Sequence, residues 1–111
     1  KLFMMEDIND DFASCDLAIV IGANDVTNPA ANTAEGTPIY GMPVLSVEKA
    51  PMTVFCNFDT KPGYAGVENP LYSADNVLLM LGLLPYAGGL LYWLSCKLSV
   101  VLLRKGAENY E

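Results

Sequence analysis

The residues of this 111-residue chain that are best suited to chemistry lie in turns rich in glycine, asparagine and aspartate. Gly22 and Asp25 lie in one such turn, and Gly63 and Gly66 lie in another. Glycine lets the backbone approach a ligand closely and adopt positive φ without a Cβ clash. The chain has six Lys and Arg residues against thirteen Asp and Glu. A phosphate ligand must therefore be met mainly by backbone N–H groups at turns and helix starts.

Other kinds of site are disfavoured by composition. The chain has no histidine, which removes Ser-His-Asp and Cys-His catalysis and most catalytic zinc sites. Cys15, Cys56 and Cys96 are far apart and form no C-x-x-C pair, so we predict three reduced, mostly buried thiols and no metal site. The net charge of −7 argues against a nucleic-acid or anionic-membrane surface. No catalytic side chain is predicted.

The apolar runs predict a small α/β domain. Strands are predicted at residues 17–21, 43–47, 52–55 and 77–82. The first run is uninterrupted and is expected to be buried on both faces. We also predict a short helix or turn at residues 5–11 and a short helix at Pro29 with Asn28 as its N-cap. Strands that end in Gly-marked loops favour a parallel sheet, with ligands at its carboxyl edge.

The end of the chain has a different character. Residues 77–96 contain no charged residue and meet the length criterion for a membrane span, with Tyr92 and Trp93 suited to an interface. Pro85, Gly88 and Gly89 weaken that interpretation. For residues 83–111 three explanations stay open: a shifted reading frame or misassembled terminus, a membrane segment, or a divergent helix.

Five motifs in one register resemble the NADP(H)-binding domain of proton-translocating NAD(P) transhydrogenase, with matching order and spacing over residues 6–82. They are Ile8-Asn9-Asp10-Asp11-Phe12, Val20-Ile21-Gly22-Ala23-Asn24-Asp25, Asn28-Pro29-Ala30-Ala31, Gly41-Met42-Pro43-Val44-Leu45, and Gly63-Tyr64-Ala65-Gly66-Val67 followed by Asn69-Pro70-Leu71. The resemblance implies an incomplete, Rossmann-like parallel sheet. Residues 1–82 would form the carboxyl-terminal half of that domain, and residues 83–111 a divergent hydrophobic tail.

The resemblance also implies a function, which is hydride exchange between NAD(H) and NADP(H) coupled to proton translocation. The expected partners are the NAD(H)-binding domain or subunit and the proton-channel membrane domain, in a dimer at the cytoplasmic face of the bacterial inner membrane. NADP(H) is the expected cofactor, and residues 63–66 would fold over it as a lid. The implied cofactor-binding residues are Gly22, Ala23, Asn24, Asp25, Val26, Gly41, Met42, Lys61, Gly63, Tyr64, Ala65 and Gly66.

Departures from the family pattern limit the expected activity of the chain alone. The Gly-rich dinucleotide fingerprint is missing, and the start at Lys1-Leu2-Phe3 is interpreted as a truncation, so the isolated chain is expected to be inactive. Cys56-Asn57-Phe58 replaces the Lys-Arg-Ser that holds the 2′-phosphate in the family. Lys61 is the only nearby cation to replace it, which leaves the preference for NADP over NAD open.

More than one interpretation is open for two residues and for the function. Asp25 would share a proton near the nucleotide if desolvation raised its pKa, or it would cap its own loop in an Asx-turn. Tyr64 would contact the cofactor or pack on the lid as a surface aromatic. The alternative functions are a membrane-associated or interaction protein with a carboxyl-terminal hydrophobic segment, and a stand-alone sensor of another adenine dinucleotide.

Overall fold

The computed structural model describes residues 3–82 and the backbone of residues 100–103. Within these residues, four β-strands and one short α-helix form the regular structure. They are α1 (Met5–Ile8), β1 (Leu17–Ile21), β2 (Thr53–Asn57), β3 (Val77–Leu81) and β4 (Val100–Leu103). Short 3₁₀ helices, called 3₁₀ turns below, lie in the connections between these elements. They are Asn9–Ser14, Asp25–Thr27, Pro29–Asn32, Val47–Lys49 and Pro70–Ser73.

The four strands form one sheet in the spatial order β3-β2-β1-β4. β1, β2 and β3 are parallel, with Ile19 opposite Val54 and Val54 opposite Leu78. Their carboxyl ends therefore lie along the same edge of the sheet, as the sequence predicted. β4 pairs antiparallel with β1, and it is a strand that the sequence pattern did not predict.

The main core lies on one face of this sheet. Val20 on β1 and Phe55 on β2 are completely buried there, beneath Phe12 and Val47 of two 3₁₀ turns. On the opposite face Leu78 is 55% exposed, while in β1 Ile19 is half-buried and Ile21 is buried. The expectation of complete burial on both faces of β1 is therefore met on the core face and only in part on the other.

Residues 43–47 do not form the predicted strand. They run in irregular conformation into the 3₁₀ turn Val47–Lys49. The backbone groups of residues 43–47 form hydrogen bonds with loops. For example, the Leu45 N–H donates to the Val26 carbonyl at 2.6 Å. The Asn9 side chain donates to the Val44 carbonyl and accepts from the Ser46 N–H, both at 2.9 Å. An apolar run whose hydrogen bonds go to loops cannot join the ladder of the sheet.

The other local predictions agree with the structure. The predicted helix or turn at residues 5–11 is α1 followed by a 3₁₀ turn, and the predicted helix at Pro29 is a 3₁₀ turn. Its N-cap is Asn28, whose side chain accepts a hydrogen bond from the Ala30 N–H. Short helices are the outcome because Asn, Pro and Thr stabilise caps and turns better than longer helices.

The uncharged stretch at residues 77–96 is only partly described. Its first five residues form β3 and pair with β2, so the segment does not begin as a helix. The predicted interfacial residues Tyr92 and Trp93 lie outside the described residues, as does most of the tail apart from β4. None of the helices in residues 3–82 is long and apolar enough to cross a membrane.

Candidate functional site

The end of β1 is fixed to the end of β2 by hydrogen bonds. Gly22 turns the chain out of the strand with φ of 71°, in the left-handed region where an L side chain is disfavoured. Its N–H donates to the Cys56 carbonyl at 3.1 Å and to the Asn57 side-chain oxygen at 2.9 Å. Asn57 Nδ2 in turn donates to the carbonyl of buried Ala23 at 2.9 Å. These hydrogen bonds therefore fix the start of the loop that follows β1.

That loop contacts the lid loop, which is defined here as residues 61–66. Asn24 Nδ2 donates to the Lys61 carbonyl at 2.9 Å. The Ala65 N–H donates to Asp25 Oδ2, also at 2.9 Å. Gly63 approaches the same carboxyl group so closely that a Cβ there would lie 2.7 Å from Asp25 Oδ1. Two predicted site segments that are about 40 residues apart in the chain are thus in direct contact.

A third predicted segment joins them through apolar packing. Met42 packs on a small core of Ala31, Ile39 and Val44, and Ala65 of the lid loop packs on the same core. Gly41, next to Met42, is exposed and donates its N–H to the Ala31 carbonyl at 2.8 Å. All three segments implied by the family resemblance therefore converge.

Two predicted contact residues project away from this packing. The Tyr64 side chain is fully exposed, so it is not packed on the lid loop as one alternative required. Lys61 is exposed as well. Its backbone N–H donates to Asp59 Oδ1 at 2.9 Å, which shapes the start of the lid loop. Both side chains are accessible to a ligand at the carboxyl edge of the sheet.

The hydrogen-bonding groups left over suit a nucleotide. Within residues 3–82, the backbone N–H groups of Asn24, Asp25 and Val26 donate no hydrogen bond. Such N–H groups at the start of a helical turn attract anions or carbonyl oxygens. Asp25 Oδ1 is buried and has no hydrogen-bond partner in the described part of the chain, whereas buried acceptors usually have one. Phosphate oxygens, such as those of a nucleotide, would suit the N–H groups of residues 24–26.

Some of the lid loop's own amides already donate hydrogen bonds. The Ala65 N–H is bound to Asp25, and the Gly66 N–H donates to the Gly63 carbonyl at 3.0 Å. The Gly63 and Tyr64 N–H groups donate no hydrogen bond within residues 3–82. In this conformation the lid loop holds the β1 loop in place, and backbone donors remain in both loops.

Three asparagines organise the site, and the sequence interpretation gave none of them this role. Asn57, at the end of β2, binds Gly22 and Ala23 as described above and also donates to the Tyr72 hydroxyl at 2.9 Å. Tyr72 packs edge-on against Phe55 with ring centroids 5.1 Å apart. Burial raises the pKa of Tyr72 despite the opposing effect of the Asn57 hydrogen bond.

The other two asparagines each precede a proline and link the same two stretches of chain. Asn28 caps its own 3₁₀ turn, while its Nδ2 donates to the Glu68 carbonyl at 3.1 Å. Asn69 caps the turn that follows it, and its Nδ2 lies 3.3 Å from Asn24 Oδ1. The repeated Asn-Pro pair was the available signal, because a buried capping side chain has an amide left to bind elsewhere.

The cysteines lie outside this set of contacts. Cys15 is buried and Cys56 is half-buried, and no disulfide joins the two. Burial raises the pKa of Cys56, so its thiol is not activated as a nucleophile. Cys96 lies outside the described residues.

A sheet of parallel strands whose carboxyl-end loops converge is part of a Rossmann-like α/β domain. A family model described as the NAD(P) transhydrogenase beta subunit matches residues 1–83. Two Rhodospirillum rubrum sequences named NAD(P) transhydrogenase subunit beta are each 51% identical over 82 residues, which is 74% of this chain. The chain belongs to the NAD(P) transhydrogenase beta subunit family, and the resemblance seen in its motifs is confirmed. It spans 18% of the length of those two relatives.

Proposed function

We propose that this chain supplies the carboxyl-terminal part of the NADP(H)-binding component of a proton-translocating transhydrogenase, which exchanges hydride between NAD(H) and NADP(H). The contact between the β1 loop and the lid loop through Asp25 carries the proposal. It places exposed and unpaired groups from both loops at the carboxyl edge of a parallel sheet, where nucleotides bind in such folds. The family match includes these loops and favours this function over a membrane-associated or interaction protein.

The residues of the chain would bind and orient the nucleotide without performing chemistry. The N–H groups of residues 24–26 would meet oxygens of NADP(H). Asp25 would position the two loops, because its Oδ1 is buried and its Oδ2 accepts from the Ala65 N–H. The bound nicotinamide supplies the hydride chemistry. Gly63 and Ala65 would keep Asp25 in position beneath the lid loop. No residue of the chain is assigned a catalytic role.

The site in this chain is half of a dinucleotide site. In doubly wound sheets the nucleotide lies at the switch point between the two halves, beside the first strand of each half. β1 is the first strand here, and the chain has no Gly-x-Gly-x-x-Gly turn to hold the pyrophosphate. We expect the isolated chain to bind NADPH weakly and to be inactive. The NAD(H)-binding domain or subunit, the proton-channel domain, the dimer and the inner-membrane location belong to the intact enzyme.

Selectivity for the 2′-phosphate would rest on Lys61. The residues following β2 begin with Phe58 and Asp59, and neither provides a cation. A single exposed Lys binds a phosphate as a point charge and lacks the paired donors of Arg. We therefore expect the preference for NADPH over NADH to be modest and to depend on salt.

A chimera tests the proposal. The 82 matching residues of the Rhodospirillum rubrum beta subunit are replaced by the corresponding residues of this chain. The chimera should bind NADPH and support hydride exchange, and the isolated chain should bind NADPH on the order of 100-fold more weakly, because it lacks the pyrophosphate turn. Fluorescence titration with NADPH and NADH measures binding and selectivity.

Two glycine variants of the chimera serve as a matched pair. Gly63→Ala places a methyl group against Asp25, whereas at Gly36 an added Cβ meets nothing within 4 Å. NADPH affinity should fall in the first and stay close to that of the chimera in the second. A folded chimera that does not bind NADPH would contradict the proposed function. Equal affinity of chimera and isolated chain would contradict the claim that half of the site is missing.

A further inference from the structure

β4 occupies one edge of β1, and it comes from a part of the chain outside the family match. The match covers residues 1–83, whereas β4 is Val100–Leu103. It pairs with β1 over the whole of residues 17–20, with Leu17 opposite Leu103 and Val20 opposite Val100. It is also the antiparallel strand in a sheet whose other described strands are parallel. The pairing is therefore an addition to the part of the fold that this family shares.

The edge that β4 covers is the one where a second half-domain would join. In a doubly wound sheet of order 3-2-1-4-5-6, the two halves meet through the first strand of each half, and those strands are parallel. In this chain the strands β1, β2 and β3 follow one another outward from β1. Their order is that of one half-domain, so the other half-domain would pair with the edge of β1 that faces away from β2. In this chain β4 occupies that edge.

We propose that the β1 edge at residues 17–20 is a docking surface for a parallel strand of the other half of the nucleotide-binding domain, and that β4 is a displaceable strand that blocks it. The inference rests on the proposed function for the identity of the partner, which is a transhydrogenase beta subunit. The relatives contain the additional length needed, because the matched segment is 18% of each. While β4 is bound, the switch point beside Gly22 remains half-built.

Backbone geometry provides an internal reference for testing this. The N–H of Ala18 donates to the Met52 carbonyl at 2.9 Å, and the N–H of Gly22 donates to the Cys56 carbonyl. Successive N–H groups of a strand point in opposite directions, so the Ile19 N–H points towards β4. Hydrogen exchange at Ile19 therefore reports on what covers the edge of β1. Exchange at Ala18 reports on the β1–β2 pairing.

The same alternation provides a matched pair of proline variants. Val101 lies opposite Ile19, so its N–H points towards β1 and the two residues form a hydrogen-bonded pair. Leu102 is the next residue, and its N–H points to the outer edge of the sheet. Proline removes a backbone donor and is tolerated on an edge strand only where the N–H faces outward. Val101→Pro should release β4, and Leu102→Pro should largely retain it.

The binding probe is the Rhodospirillum rubrum beta subunit from which the 82 matching residues have been deleted, purified in detergent. The full chain with Val101→Pro should bind it about tenfold more tightly than the chain with Leu102→Pro, because the hydrogen bond donated by the Val101 N–H, which holds the competing strand, has been removed. In the unmodified chain, addition of the probe should make the Val101 amide exchange rapidly while the Ile19 amide stays protected. This second measurement does not depend on the folding of a proline variant.

Several results would overturn the inference. Rapid exchange of Ile19 in the unmodified chain, with Ala18 protected, would show that β4 does not cover the edge. Equal affinity of the two proline variants for the probe, or a Val101 amide that stays protected in the complex, would show that β4 does not compete. If the Val101→Pro chain forms dimers in analytical ultracentrifugation and does not bind the probe, the partner of this edge is a second copy of the chain.

These readouts use no nucleotide, which separates the inference from the proposed function. If Val101→Pro strengthens binding of the probe but the complex does not bind NADPH, the docking surface is supported and the proposed function fails. If the two proline variants bind the probe with equal affinity and their complexes bind NADPH, the proposed function is supported and the role of β4 fails.

Discussion

Gly63→Ala should disrupt the contact between the lid loop and the β1 loop. A Cβ at residue 63 would lie 2.7 Å from Asp25 Oδ1, 2.8 Å from Cγ and 2.9 Å from Oδ2. Asp25 has little freedom to move away, because Oδ2 is held by the Ala65 N–H and Oδ1 is buried. The lid loop must therefore shift away from Asp25, or the carboxyl group must give up its hydrogen bond.

The size of the effect follows from three contributions. Overpacking of this kind costs about 1–3 kcal/mol, and the Ala65–Asp25 hydrogen bond contributes about 1 kcal/mol or more. Gly63 does not have a positive φ, so alanine also stabilises the fold by about 0.4–1 kcal/mol through the unfolded state. We expect a net loss of about 2 kcal/mol in the free energy of unfolding. This corresponds to a decrease in Tm of about 10 °C for a domain of this size.

Urea unfolding followed by circular dichroism measures the loss, and hydrogen exchange of the Ala65 amide locates it. Asp25→Ala removes all three clashing atoms, so in that background Gly63→Ala should cost nothing. Gly66→Ala is the control, because Gly66 has φ of 69° and nothing lies within 4 Å of an added Cβ. It should cost about 1 kcal/mol from backbone strain alone, with or without Asp25.

The clash argument is refuted if Gly63→Ala is as stable as the parent chain and the Ala65 amide stays protected. It is also refuted if the cost of Gly63→Ala persists in full after Asp25 has been replaced. Either result would mean that the two loops are not held together through this carboxyl group.

Two further predictions concern Asn57 and its partner Tyr72. Asn57→Ala should reduce the free energy of unfolding by about 3 kcal/mol, because three hydrogen bonds, one buried and two partly buried, are lost. Tyr72→Phe should cost about 1 kcal/mol, and equal losses in urea unfolding would contradict the central role of Asn57. Burial raises the pKa of Tyr72 above its ordinary value of 10.0, so its contribution to stability is complete below pH 10 and is lost as the pH rises through the raised pKa. The free energy of unfolding should therefore decrease less steeply above pH 10 in Tyr72→Phe, and an unchanged slope would count against the burial of this hydroxyl.

The three parallel strands of the sheet were predictable because their signal is local. β1, β2 and β3 are short apolar runs bounded by glycine, proline or asparagine, and such runs have few alternatives in a small domain. Residues 43–47 have the same appearance but are not a strand. Their backbone partners are Asn9 and Val26, which are distant in sequence, and the pattern of residues 43–47 contains no information about them.

The family and the segments of the candidate site could also be identified from the sequence, through motifs that keep their order and spacing. The roles of individual residues could not. Asn57 was noted only as a departure from a phosphate-binding pattern, yet it joins the ends of β1 and β2. Its role depends on Gly22, Ala23 and Tyr72 lying around it, which requires the parallel register to form first.

By itself, the sequence determined β1, β2 and β3, the glycine turns that follow β1 and β3, and the shortage of basic side chains. Those properties depend on residue type and near neighbours. Only the tertiary structure decided that Asp25 would receive the lid loop, that Asn57 would join the ends of β1 and β2, and that β4 would cover β1. Each of these depends on groups that are far apart in the chain and become adjacent only when the strands pair. Contacts between such groups produce no periodic pattern of residue types, so they cannot be predicted from the sequence.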